Sequence, residues 1–227
     1  WCGPCAITPY HHKKLSIWPT ELMSAYSPNG MFQCWGCHYL DLAQFGLRRE
    51  DETPVSVEGF GTFPYPGSGL TDTAVSWDVT YTYKDGLRLH FVENDTNKFG
   101  LVHGFRFVGT KGWSQGEDRG FKTSIPNIAK TALKPGKMPK QLPYVKGGVI
   151  ADFVETVRAG RRECVLTQPE RAWHSDLVAQ IGMHAIKRGH RLDFDWTTCR
   201  YTNDPDANAL LATRPYLNGW SLNDVRV

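Results

Sequence analysis

The run Trp77-Asp78-Val79-Thr80-Tyr81-Thr82-Tyr83-Lys84-Asp85-Gly86-Leu87-Arg88-Leu89-His90-Phe91-Val92 decides the fold class. Trp77, Val79, Tyr81 and Tyr83 alternate with polar residues, the period-2 pattern of a strand with one buried face. Lys84-Asp85-Gly86 supplies turn chemistry, so Val75–Tyr83 and Leu87–Val92 are predicted to form a hairpin. Working outward, Pro54–Phe63 upstream and Phe105–Val108 and Gly112–Gln115 downstream also read as strands. Residues 121–145, with four Pro and five Lys, read as a long surface loop.

Elsewhere the period is helical. Phe32, Trp35, Leu40, Leu42, Phe45 and Leu47 follow Gly30 and predict one helix over Met31–Leu47. Val149, Ile150, Phe153, Val154 and Val157 mark another, ending at Gly160. Pro169 sits in the first turn of a third, which runs from Ala172 to Arg188 and stops at Gly189. Leu192–Trp196 reads as a short strand and Asp204–Leu211 as a last short helix. The expected fold is α+β: an open, mostly antiparallel sheet with helices on one face and something else covering the other. Residues 1–29 read as an extended segment and residues 30–227 as a single α+β domain.

The chain has 227 residues, 41% hydrophobic and 22% charged, the composition of an ordinary globular protein. Its net charge of +3 is too weak to argue for a nucleic-acid partner. No stretch approaches the roughly 18 apolar residues of a membrane span, and no secretory leader pattern opens the chain. The first residue is Trp1, not Met, so an upstream segment is expected and the compartment, cytoplasmic or periplasmic, stays open. Gly67-Ser68-Gly69 lies between strand-like segments and opens no helix, so it lacks the geometry that seats a pyrophosphate.

Cysteine spacing offers several chemistries. Trp1-Cys2-Gly3-Pro4-Cys5 has the spelling of a thioredoxin redox motif, but no strand precedes it and Pro9 follows closely. Cys34-Trp35-Gly36-Cys37-His38 has the spelling of a c-type haem attachment site. Cys2, Cys5, Cys34 and Cys37 together make two CxxC pairs 28 residues apart, a donor set for zinc or an iron–sulfur cluster in which the gap exceeds that of a zinc ribbon. Cys164 and Cys199 are most simply buried apolar residues.

His38 and Asp41, three apart on the predicted helix, share a face, with Cys34 one turn earlier. A carboxylate beside an imidazole fixes its tautomer and raises its basicity, which suits a general acid/base acting on a hydroxyl. A helix-surface pair without a role is the competing reading.

These motifs, in this order, resemble the C-terminal half of the glucose–fructose oxidoreductase / inositol dehydrogenase / MocA family, in particular its planctomycete and verrucomicrobial branch. The residues that carry the resemblance are Trp1-Cys2-Gly3-Pro4 with Pro9-Tyr10, and Trp35-Gly36-x-His38-x-x-Asp41-Leu42-Ala43-Gln44. Pro54-Val55-Ser56-Val57-Glu58-Gly59, the hairpin from Trp77, and Phe107-Val108-Gly109-Thr110-Lys111-Gly112-Trp113 continue it. Pro169-Glu170, Asp204 with Ala207-Asn208, and a closing Gly219-Trp220 complete it and lead to the expectation of a complete C-terminus.

The resemblance implies the substrate-binding, catalytic and oligomerisation domain of an oxidoreductase that uses NAD or NADP on a sugar or polyol. The cofactor would sit on a Rossmann domain absent here, whether its own N-terminal domain or a separate subunit, and the isolated chain is expected to be inactive. His38 would be the proton donor or acceptor, and Asp41 would orient it or bind a hydroxyl. Tyr10, Trp35 and His174 would line the substrate side, and the sheet would build a homo-oligomer. Two departures stand out: Cys34 replaces an Asp four residues before the His, and Gln180 stands where a second His is expected on the later helix. The alternatives are a metal- or haem-binding redox or structural module built on the CxxC pairs, and a non-catalytic sugar-binding subunit.

Overall fold

The computed structural model describes residues 2–16, 20–93, 103–117, 120–128, 145–166, 168–212, 214–221 and 223. Trp1 and most of the Pro- and Lys-rich stretch therefore lie outside the described residues. The chain divides into two compact units, one of Trp1–Leu40, Glu52–Lys98 and Asp176–Val227, the other of Asp41–Asp51 and Phe99–Ser175. Four α-helices are used below: α1 (Gly30–Cys34), α2 (Gly36–Leu47), α3 (Gly148–Arg158) and α4 (Pro169–Arg188).

The larger unit holds a five-stranded antiparallel sheet, ordered β3-β2-β1-β7-β8, from β1 (Ser56–Thr62), β2 (Ser76–Thr82), β3 (Arg88–Val92), β7 (Leu192–Asp195) and β8 (Arg200–Tyr201). The alternation in β2 is realised: Trp77, Val79 and Tyr81 are buried while Ser76, Asp78 and Thr80 are less so. The hairpin closes through Gly86 N to Tyr83 O and Tyr83 N to Leu87 O, both 2.9 Å. Gly86 takes φ +84°, which the turn requires and a Cβ would penalise.

Burial of one face of this sheet comes from α1 and the C-terminal part of α4. Val178, Ile181, Met183 and Ala185 are buried, and Phe32 of α1 packs edge-on to Trp77 with ring centroids 5.1 Å apart. The approach is close enough that a Cβ on Gly182 would collide with the Tyr81 hydroxyl and the Phe32 ring. On the opposite face Glu58, Phe60 and Thr62 are exposed, Phe60 at 59%. The chain is thus α+β, with helices against one sheet face.

The predicted helix over Met31–Leu47 is in fact two. It breaks at Trp35, where the amide of His38 reaches back only three residues, to Trp35 O at 3.2 Å. Just after the break, a Cβ added to Gly36 would lie 2.9 Å from the Phe91 ring, so the position admits no side chain without a shift.

The smaller unit carries a three-stranded antiparallel meander, β4 (Gly104–Gly109), β5 (Gly112–Glu117) and β6 (Gly120–Thr123). Here the loop expected from residue 121 is corrected, because Gly120–Thr123 pairs with β5. Gly120-Phe121-Lys122-Thr123 holds a single large apolar side chain, so no alternation marks the strand in sequence. In α3 the apolar stripe that identifies the helix is exposed at Val149, Ile150, Phe153 and Val157, whereas Asp152 and Thr156 are buried. Asp152 Oδ2 accepts the Leu166 amide at 2.7 Å, and Arg161 donates to Thr156 Oγ1 at 3.2 Å, which explains the inverted burial. No helix among the described residues is long and apolar enough to cross a membrane.

Candidate active site

Both residues of the expected acid/base pair lie on α2. His38, in the part belonging to the larger unit, is exposed, and its ring meets Trp35 edge-on at 6.1 Å. Trp35 sits at the break between α1 and α2, 39% exposed, and stacks on Tyr39 at 6.4 Å. Its carbonyl opens the short turn that the His38 amide closes.

Asp41 lies one turn further on and belongs to the smaller unit. Its Oδ1 accepts a 2.6 Å hydrogen bond from Ser175 Oγ, and Ser175 is buried. Next to Ser175, His174 is half-buried, and its pKa is lowered by desolvation, against the opposing charge of Asp51. Tyr10 stands 77% exposed on the extended N-terminal segment. Of the five expected residues, Trp35 and His38 are joined by direct ring contact, and Asp41 is tied to a residue adjacent to His174 in sequence.

A polar cluster in the larger unit was not anticipated. Asp176 accepts from two amides, Gln33 Nε2 at Oδ1 and Gln180 Nε2 at Oδ2, the latter at 2.6 Å. Gln33 Oε1 in turn accepts from Asn29 Nδ2 at 2.9 Å, and Asn29 Oδ1 accepts from Lys187 Nζ at 3.2 Å. Desolvation is the main cause that lowers the Lys187 pKa, followed by the charge of Arg214. Both helices show a signal in hindsight: Asn29/Gln33 and Asp176/Gln180 are polar pairs four apart, the spacing that puts them on one helix face.

The cysteines do not assemble as a donor set. Among the described residues no group of three or more His, Cys, Asp or Glu is placed to hold a metal ion. Cys2 and Cys5 share a turn near the N-terminus, while Cys37 donates its thiol to Cys34 O at 3.4 Å. Burial, with the Glu21 carboxylate beside it, pushes the Cys34 thiol up to about 11. None of these cysteines is in a disulfide.

Solved structures of several oxidoreductases share this fold. Similar structures include the aldose–aldose oxidoreductase from Caulobacter crescentus complexed with glycerol, with TM-score 0.52 and 15% identity over 77% of this chain and 50% of that one. The WlbA dehydrogenase from Chromobacterium violaceum, in complex with NADH and UDP-GlcNAcA, gives TM-score 0.52 and 16% identity over 83% of this chain and 52% of that one. An oxidoreductase from Thermotoga maritima gives TM-score 0.52 and 12% identity over 83% and 51%. At these identities the likeness is one of fold, and the chain spans about half the length of each. No curated protein sequence matches it. Residues 1–222 match the oxidoreductase family, C-terminal alpha/beta domain, of the glucose–fructose oxidoreductase / inositol dehydrogenase / MocA group, and the chain belongs to that family.

Proposed function

We propose that this chain is the substrate-binding and catalytic half of an NAD(P)-dependent oxidoreductase that acts on a sugar or polyol. The observation that carries the reading is the local arrangement on α2: an exposed imidazole edge-on to Trp35, followed one turn later by a carboxylate fixed by a buried serine. An exposed His ring is free to approach a substrate carbinol and exchange its hydroxyl proton. A carboxylate already held by Ser175 keeps Oδ2 for a substrate hydroxyl or for orienting the imidazole. Trp35 and Tyr10, both of the larger unit, are the aromatic contacts proposed for a small polyhydroxylated ligand. The sugar-related ligands of the Caulobacter and Chromobacterium proteins support this substrate class.

Gly67-Ser68-Gly69 lies between β1 and β2 and opens no helix, so it does not form the phosphate cradle of a Rossmann crossover. This reading assigns the cofactor to a nucleotide-binding domain outside this chain, and to this chain the proton and the substrate. The exposed sheet face around Phe60 is its proposed oligomer interface.

The test is His38→Ala in the complete enzyme. Turnover falls by about 10²–10⁴, the range of a lost general acid/base, with KM changed far less. Unchanged turnover would remove His38 from the mechanism.

A further inference from the structure

The CxxC turn at Cys2–Cys5 has no part in that chemistry, and it is built with care. The Cys5 amide donates to Cys2 O at 3.0 Å, closing a four-residue turn over Gly3 and Pro4. Gly3 takes φ +54°, which glycine adopts without penalty. A turn of this kind holds its end Cα atoms within about 7 Å, and a disulfide spans roughly 4.4–6.8 Å between Cα atoms. The C-terminal segment grips the turn from outside: Leu217 N donates to Pro4 O at 2.9 Å, and Asn218 Nδ2 to Gly3 O and Cys5 O at 2.9 and 2.6 Å. Both thiols are free and half-buried.

A line of hydrogen bonds ends on one of the two sulfurs. Lys14 Nζ donates to Thr8 Oγ1 at 3.0 Å, Thr8 Oγ1 lies 2.8 Å from the Tyr26 hydroxyl, and that hydroxyl lies 3.8 Å from Cys2 Sγ. With the ammonium as a fixed donor, each hydroxyl can accept from one neighbour and donate to the next, so the line delivers a proton donor to Cys2. Tyr26 first, then the Thr8 backbone, with a smaller contribution from the Lys14 charge, hold the Cys2 thiol below its ordinary range. A partly exposed cysteine in such surroundings is a reactive one. The other CxxC pair is the opposite case, because burial and Glu21 keep Cys34 protonated.

We propose that Cys2 and Cys5 form a reversible dithiol/disulfide pair, with Cys2 the attacking thiolate, Cys5 the resolving thiol, and a small-molecule disulfide of the glutathione type as oxidant. In the first step the Cys2 thiolate attacks one sulfur of the oxidant, forms a mixed disulfide and expels one thiolate. In the second, deprotonated Cys5 attacks the Cys2 sulfur, closes the Cys2–Cys5 bond and expels the second thiolate. The two protein thiols lose two electrons and two protons in all, and the oxidant becomes two thiols. The bond joins the two ends of the existing turn, and Tyr26 loses the thiolate it faces.

The experiment equilibrates the full chain in buffers of increasing oxidised-to-reduced glutathione ratio, then quenches with acid and alkylates free thiols. The tryptic peptide ending at Lys13 carries both cysteines and no other. It is expected to pass from doubly alkylated to unalkylated and about 2 Da below the dithiol form, as two hydrogens leave. Cys5→Ser is expected to hold glutathione on Cys2, and Cys2→Ser to react at Cys5 about tenfold more slowly. Tyr26→Phe is expected to raise the pH at which Cys2 alkylation is half-maximal. Two alkylated thiols at every ratio, or neutral-pH alkylation of Cys2 no faster than that of Cys5 in the wild type, would overturn the proposal.

Discussion

Acidification through the range of His184 tests the core directly. His184 lies on α4, 4% exposed, with Nδ1 2.7 Å from the hydroxyl of Tyr201, itself 3% exposed on β8. Burial, with Lys187 nearby, lowers its pKa from 6.5 to about 4, and burial also keeps the Tyr201 phenol protonated far above its ordinary range. A drop of about 2.5 units at about 1.4 kcal/mol per unit is roughly 3 kcal/mol. The folded-state pKa is the lower one, so the unfolded chain binds this proton more readily. The stabilisation is complete above about pH 6.5 and is lost as pH falls toward 4. Protonation also turns Nδ1 into a donor, leaving the Tyr201 hydroxyl to act as acceptor. The assay is urea unfolding of wild type and His184→Gln at half-unit steps from pH 7.5 to 4.5, at constant m. Wild type should lose most of the 3 kcal/mol over this range, and the variant should lose less by about that amount. Parallel curves would refute the assignment. His174, lowered in the same direction, remains in both proteins and cancels in the comparison.

Further outcomes are expected from single substitutions. Gly182→Ala places a methyl against the Tyr81 hydroxyl and the Phe32 ring and should cost about 1–3 kcal/mol in urea unfolding. Gly30→Ala is strained twice over, by a φ of +57° and by collision with Thr73, and should lower the melting temperature by several degrees. Tyr201→Phe removes the hydroxyl facing His184 and should cost about 1 kcal/mol at neutral pH. Ser175→Ala in the complete enzyme should lower kcat/KM by about tenfold through Asp41, a smaller loss than that of His38→Ala.

The strongly patterned elements were legible in sequence and the junctions were not. The β2–β3 hairpin was readable because a period of two and Lys84-Asp85-Gly86 agree. Pro169 and Gly189 bracketed α4 for the same reason: local chemistry and apolar spacing point one way. The break at Trp35 was hidden, because the apolar spacing runs through it without interruption. β6 escaped notice because Gly120–Thr123 carries one large apolar side chain. The inverted burial of α3 turns on Asp152 capping the Leu166 amide, which no periodicity encodes. Much the same holds at the candidate site. His38, Asp41 and Trp35 were visible as one local motif, while Ser175, 134 residues from Asp41, and the Gln33–Asp176–Gln180 clamp are tertiary facts. The two CxxC pairs show why spelling is a weak guide: the same spacing yields a donor-fed thiol at Cys2 and a suppressed one at Cys34.

The most direct test of the account is cofactor turnover by the complete enzyme, wild type and His38→Ala side by side, against a panel of sugars and polyols with NAD and with NADP. The account predicts substrate-dependent reduction of one cofactor by the wild type and loss of most of that rate in His38→Ala. Turnover that is indifferent to His38, or absent across the whole panel with both cofactors bound, would contradict it.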